Sequence, residues 1–181
     1  MQTMIVLDTE TTGLPEPGAM PLSKQPQIIE FAAIKVDQKN LDIVGRLEFM
    51  CNPGVPLPDK IVQITKITDA DLKDKPPFAF YYKKLCEFFL GAESVVAHNM
   101  SFDKSMIYFE LLRLDKVCQF PWPPNHICTV EASFSLNNRR LSLANLHKIA
   151  TGREFEGAHR AMIDVEALLR CVKWLRNKGM L

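Results

Sequence analysis

Two runs rich in β-branched and aromatic residues, Ile28–Val36 (IIEFAAIKV) and Ile43–Phe49, are separated only by a polar segment around Gln38–Asp42. A connection that short joins antiparallel neighbours, because a parallel crossover needs a dozen or more residues. Met4–Leu7 is a third apolar run, with the length and residue type of a buried strand. The three predict an antiparallel meander with the first strand at the sheet centre. A Pro-rich loop, Leu14 to Pro26, separates the first strand from the second, and Pro53, Pro56 and Pro58 end the meander before a short helical segment near Asp59–Ile64.

The pattern then changes. Phe78–Leu90 predicts an amphipathic helix stopped by Gly91, Ser94–Ala97 a strand, and Phe102–Leu114 a second long helix. Phe120–Pro124 (FPWPP) cannot be regular, since proline lacks the backbone donor. Ile127–Thr129 predicts a short strand before a helical turn at Val130–Phe134, and Ser142–Ala150 a helix with Ser142 as N-cap and Gly152 beyond its end. Ala161, Val165, Leu168, Val172 and Leu175 recur at helical spacing as one buried stripe. The expected fold is α/β: a central mixed five-stranded sheet, an antiparallel meander plus parallel strands, flanked by helices.

A length of 181 residues bounds one domain, 1–181. The net charge is only +1, but residues 139–178 hold nine Lys/Arg against four Asp/Glu. A basic part beside an acidic site suits a bound polyanion, though for charge alone a solvated helix face is the first reading. The five cysteines show no zinc spacing and are expected to fill core positions in a reducing cytoplasm. With no signal peptide pattern and no apolar stretch approaching roughly 20 residues, a soluble cytoplasmic protein without membrane contact is expected.

Against that background five residues stand out. Asp8 and Glu10 lie two apart at the end of the first strand, where period two puts both on one face. Carboxylates that close repel unless a cation or a proton intervenes. Alone, such a pair is also read as an exposed strand end. Asp103 follows the Ser94–Ala97 strand through a short turn, in the first turn of the next helix. There the helix dipole would favour an acid in any case. His159 and Asp164 are five apart, about 140° around a continuous helix. His159 is therefore expected at or before the helix start, loosened by Gly157, with Asp164 inside the helix on the edge of the buried stripe. An unpaired charge there is costly; either a metal ion or a salt bridge to Arg160 or Arg139 would relieve it.

Taken in order, DTETTGL, IIEFAAI, ITKITDADL, VVAHNMSFD, the ICT and LSLANL segments and AHRAMIDV resemble the DEDDh family of 3′–5′ exonucleases. The resemblance runs from about Met4 to about Val172, and the final H-x4-D spacing separates the histidine branch from the tyrosine branch. It implies a ribonuclease H-like fold in which Asp8, Glu10, Asp103 and Asp164 bind two Mg2+ or Mn2+ ions and His159 is the general base. The implied reaction releases nucleoside 5′-monophosphates from single-stranded DNA 3′ ends. Its rivals are the same chemistry on RNA, as in ribonuclease T or oligoribonuclease, and a non-catalytic nucleic-acid-binding module, which five intact positions argue against. Expected substrate contacts are Thr11, Thr12 and Gly13 through the backbone, Leu14 and Phe102 by wedging or stacking, and Asn99. His98 and Asn99 are also expected to order the turn carrying Asp103, and Trp122 to anchor its loop. The Leu14 to Gln27 loop is longer than in many family members, and no polymerase-binding tail follows the last helix. A stable polymerase partner is therefore not required by the sequence, and a stand-alone bacterial or phage-type enzyme is expected.

Overall fold

A computed structural model describes residues 2–18 and 20–181. Five strands, β1 (Thr3–Thr11), β2 (Ile28–Asp37), β3 (Ile43–Met50), β4 (Ser94–Ala97) and β5 (Asn125–Cys128), form one sheet in the order β3-β2-β1-β4-β5. The meander β1-β2-β3 is antiparallel, and β1-β4 and β4-β5 are parallel. The mixed sheet with β1 at its centre is the one expected from the sequence. Its helices are α1 (Asp59–Thr65), α2 (Asp69–Leu72), α3 (Phe78–Phe89), α4 (Met100–Arg113), α5 (Thr129–Ala132), α6 (Leu143–Thr151) and α7 (Ala161–Asn177).

Strand parity sorts the core into two layers. Ile5 and Leu7 of β1, with Phe31 and Ala33 of β2, pack under α3 and α4. Met4 and Val6, with Ala32, Ile34 and Val36, pack under the Ala161–Val165–Leu168–Val172 stripe of α7. Phe49 stacks between Phe31 at 5.1 Å and Tyr81 at 4.2 Å. Such pairs contribute about 0.5–1.5 kcal/mol each beyond their burial. Trp122 meets Phe89 and Phe120 edge-on at 5.7 and 4.9 Å, which anchors the proline-rich loop as expected.

The structure corrects four expectations. First, β1 does not end at Leu7: β2 keeps pairing with it to Thr11, while its parallel partner β4 stops pairing at Val6. The acids thus continue the strand along one neighbour after the other has ended. Second, α2 was not expected, although Thr68 and Asp71 form a reciprocal capping box at its start. Third, α4 begins at Met100 and β5 at Asn125, each two residues early. Fourth, Cys51 and Cys171 are buried but Cys118 is exposed, so the cysteines do not all fill the core. The Leu14 to Gln27 loop, in which Ala19 lies outside the described residues, is folded back on the body. Gln25 and Glu16 exchange hydrogen bonds of 3.1 and 3.3 Å, and Arg113 donates to the carbonyls of Leu22, Gln25 and Pro26. Among the described residues no helix is long and apolar enough to cross a membrane.

Candidate active site

Asp8 and Glu10 share the parity of Met4 and Val6, so both carboxylates emerge on the α7 face, beyond the point where β4 stops pairing. Thr9, of opposite parity, turns to α4 and donates its hydroxyl to Asp103 Oδ1 at 2.8 Å. That bond ties the first turn of α4 to the central strand. Asp103 is 2% exposed and Asp164 7%. His159 lies before α7, as expected from its offset, with φ of 67°, and Gly157 beside it has φ of 77°. This turn brings the His159 backbone N–H back to Asp164 Oδ2 at 2.9 Å. Neither Arg160 nor Arg139 bridges Asp164. Glu10, His159 and Asp164 each offer a donor atom within 4.8 Å of the others.

All of these groups line a cleft of about 510 Å³. The crowding is strongly unfavourable to ionisation. Burial first, then the charges of Asp103, Glu10 and Asp164, push Asp8 well above the usual carboxylate range. Burial followed by Asp164, Glu30 and Asp103 lifts Glu10 to about 8, with Arg160 opposing. Burial raises Asp103 to about 7 against the Thr9 hydrogen bond. Burial also raises Asp164, against the His159 contact. His98 lies in the same cleft with Nε2 on the Leu141 carbonyl and Nδ1 on the Thr129 hydroxyl, both at 3.0 Å. Burial lowers its pKa, so it is a neutral tie between the turn after β4 and the start of α6.

Of the expected substrate contacts only Phe102 lines this cleft. Thr12, Gly13 and Leu14 line a separate hollow of about 280 Å³ with the proline-rich loop. The Thr11 hydroxyl donates to the Gly13 carbonyl at 2.7 Å, and Thr12 exchanges backbone and side-chain bonds with Gln27, so both are spent on fixing that loop. Leu14 is 76% exposed. Asn99 adopts φ of 76° at the start of α4, and its Oδ1 accepts from Ser101 and Arg140 at 3.2 and 3.1 Å. These bonds leave it ordering the turn.

The sequence reading missed Glu30. It stands opposite Glu10 in the β1-β2 register and accepts from the Ala161 backbone N–H at 2.9 Å and from Arg160 at 2.8 Å. The cross-strand acid therefore caps α7, and the Arg160 guanidinium is committed to it. The signal was present: a lone acid in IIEFAAI with the parity of Ala32 and Ile34. Phe155 was missed as well. It lines the cleft from the loop before His159 and lies in no periodic segment.

A family model described as exonuclease, of the RNase T family, matches residues 5–172. DNA polymerase III PolC-type of Bacillus cereus is 40% identical over 187 residues, covering 98% of this chain. The Bacillus subtilis counterpart is 33% identical over 191 residues, covering 99% of the chain. The chain spans 12% of the length of these curated relatives. Among solved structures, the nuclease domain of 3′hExo, a DEDDh family member bound to rAMP, superposes with a TM-score of 0.77 at 16% identity, over 98% of this chain and 93% of that one. Exonuclease X in complex with 5′ overhanging duplex DNA gives 0.67 at 24%, over 97% and 92%. E. coli exonuclease I with a dT13 oligonucleotide gives 0.76 at 21%, over 99% and 42%. At these identities the structural likeness is one of fold, and the fold is ribonuclease H-like.

Proposed function

The chain belongs to the DEDDh family of 3′–5′ exonucleases, and from that premise we propose that it hydrolyses single-stranded DNA from the 3′ end with two divalent metal ions, releasing nucleoside 5′-monophosphates. The observation that carries this reading is the convergence of Glu10 from β1, His159 from the loop and Asp164 from α7 on one point beside Asp8 and Asp103. The donor set fits hard cations. The four acids offer only carboxylate oxygen, they resist ionisation together, and the neighbouring Arg160 is taken by Glu30. Asp8, Glu10, Asp103 and Asp164 would hold two Mg2+ or Mn2+. Such ions supply a lowered pKa for a bound water and charge stabilisation for the departing 3′ oxygen.

The chain's own groups do the rest. His159, exposed on its loop, takes the proton of the attacking water and passes it to solvent. Its backbone N–H on Asp164 keeps the ring beside the acids. Phe102 stacks on a base in a sequence-tolerant way. Thr12, Gly13 and Leu14 act from their separate hollow and Thr11 by fixing the loop that sets how the strand approaches, and Asn99 acts by ordering the turn before Asp103. DNA is favoured because the relatives similar over nearly the whole chain are DNA polymerases and two of the structural relatives hold DNA. The five residues proposed for the chemistry all lie on this chain, so the reading requires no stable polymerase partner, and a bacterial cytoplasm suits its relatives.

The test is a ladder assay on 5′-labelled single-stranded DNA and RNA with Mg2+, Mn2+ or EDTA. Stepwise shortening from the 3′ end, abolished by EDTA and faster on DNA, is expected. Faster shortening of RNA would move the substrate to RNA, and activity surviving in Asp8→Ala would refute the metal site.

A further inference from the structure

Phe155 is the one residue of 151–160 that is partly buried rather than exposed, yet among the described residues it joins none of the apolar core clusters. It lines the acidic cleft on one side and, on the other, a cavity of about 460 Å³ shared with His147 and Arg170. What holds it is polar. The ring meets the His147 imidazole edge-on, with centroids 5.0 Å apart at 62°. His147 is 4% exposed, and both its nitrogens are committed. Arg170 Nε can only donate, and it lies 2.9 Å from His147 Nε2, so that nitrogen accepts. The proton therefore sits on Nδ1, which donates to the Arg153 carbonyl at 3.0 Å. One neutral tautomer, fixed by α7, thus binds the backbone two residues before Phe155 and packs against its ring. A loop anchor needs only the contact with His147; it does not need the ring to border the cleft as well.

We propose that Phe155 stacks on a nucleobase of the substrate strand and that His147 and Arg170 are positioning residues acting through it. With Phe102 on α4 the cleft then presents two aromatic rings, a sequence-tolerant grip on a single strand. The proposal rests on the exonuclease reading, and the two are tested separately. Affinity is measured by anisotropy with 5′-fluorescein DNA strands carrying hydrolysis-resistant phosphorothioates at the 3′ end, in Mg2+. The strands are intact or abasic at the first, second or third 3′ position. Phe155→Ala is expected to weaken binding of intact strands about tenfold. Phe155→Leu, which keeps an apolar anchor but no flat ring, should behave alike, and Phe155→Trp should restore binding. One abasic position should weaken the wild type equally and erase the effect of Phe155→Leu. Arg170→Ala, an exposed change, should weaken binding in the wild-type background and add nothing in Phe155→Leu, because its effect runs through the ring. Wild-type affinity in Phe155→Leu, or an equal loss at every abasic position, would overturn the proposal. Shortening of ordinary DNA without Phe155-dependent affinity sinks the stacking alone. Phe155-dependent affinity without shortening sinks the exonuclease reading and leaves the stacking in place.

Discussion

Asp8 and Glu10 lie inside a strand, and Asp103 is fixed to that strand through Thr9, whereas His159 sits on an exposed stretch with left-handed residues at Gly152, Gly157 and His159 itself. The difference follows from what each wall carries. Carboxylates crowded into one cleft repel one another, so they hold their places only on structure whose stability comes from elsewhere, here the two apolar layers of the sheet. The general base proposed at His159 would have to exchange its proton with water at every turnover, which an exposed loop permits. The two walls meet at Asp164 and at Glu30, which caps α7 from the sheet side.

Removing a charge from the sheet wall should break function without breaking the fold. Asp8→Asn is expected to lower kcat/KM in the ladder assay by about 10⁴-fold, the scale of losing several kcal/mol of transition-state stabilisation. The same variant should melt no lower than the wild type without divalent ions, because a repelling charge has gone. An active Asp8→Asn, or one that fails to fold, would erase the contrast between the walls.

His159→Gln tests the loop wall and should cost less, about 10² to 10⁴ in kcat, the range for a lost general base. Its melting temperature should match the wild type, since the side chain is exposed and the backbone bond to Asp164 does not depend on it. Gly157→Ala should be milder still. Its φ of +77° strains any L side chain, and an added Cβ would lie 2.7 Å from Ile163 Cδ1. Left-handed backbone costs roughly 1–2 kcal/mol outside glycine, so the loop should shift and carry His159 with it. A fall of about tenfold in kcat is expected, the size of a 1.4 kcal/mol misplacement, with little change in strand affinity. An unchanged kcat would show that the turn does not set the base.

Much of the sheet wall was legible in the sequence. Parity placed Asp8 and Glu10 on one face, and the five-residue offset of His159 from Asp164 put the histidine off the helix. What escaped was long-range pairing. The length of β1 depends on β2 continuing past β4, and the role of Glu30 depends on Arg160 and Ala161, about 130 residues away in sequence. No local pattern encodes either. The loop wall was the least legible part. Phe155 has no periodic neighbours, and its orientation comes from a histidine on α6 and an arginine on α7. Thr11 and Thr12 were expected to meet substrate through their backbone, yet the Thr12 N–H goes to the Gln27 carbonyl and both hydroxyls bond within the loop.

The smallest expected effect is thermodynamic, and it concerns the acids rather than the loop. Glu10 is raised to about 8 and Asp103 to about 7, with Asp8 and Asp164 shifted the same way, while carboxylates of the unfolded chain titrate near 4. Between about pH 4 and pH 8 the folded protein then holds more protons than the unfolded one, so its stability falls as pH rises. Without divalent ions the melting temperature should drop steadily from about pH 5 to pH 8. Millimolar Mg2+ or Mn2+ should reverse the drop by about 5 °C at pH 8, as expected for a ligand well above its Kd in a domain of this size. At pH 5 protons compete for the same oxygens, and the rise should be smaller. His159→Gln should keep this whole profile, while Glu10→Gln should flatten it. Scanning calorimetry on the three proteins distinguishes the walls directly: a profile that follows His159 rather than Glu10 would place the proton-holding groups on the loop.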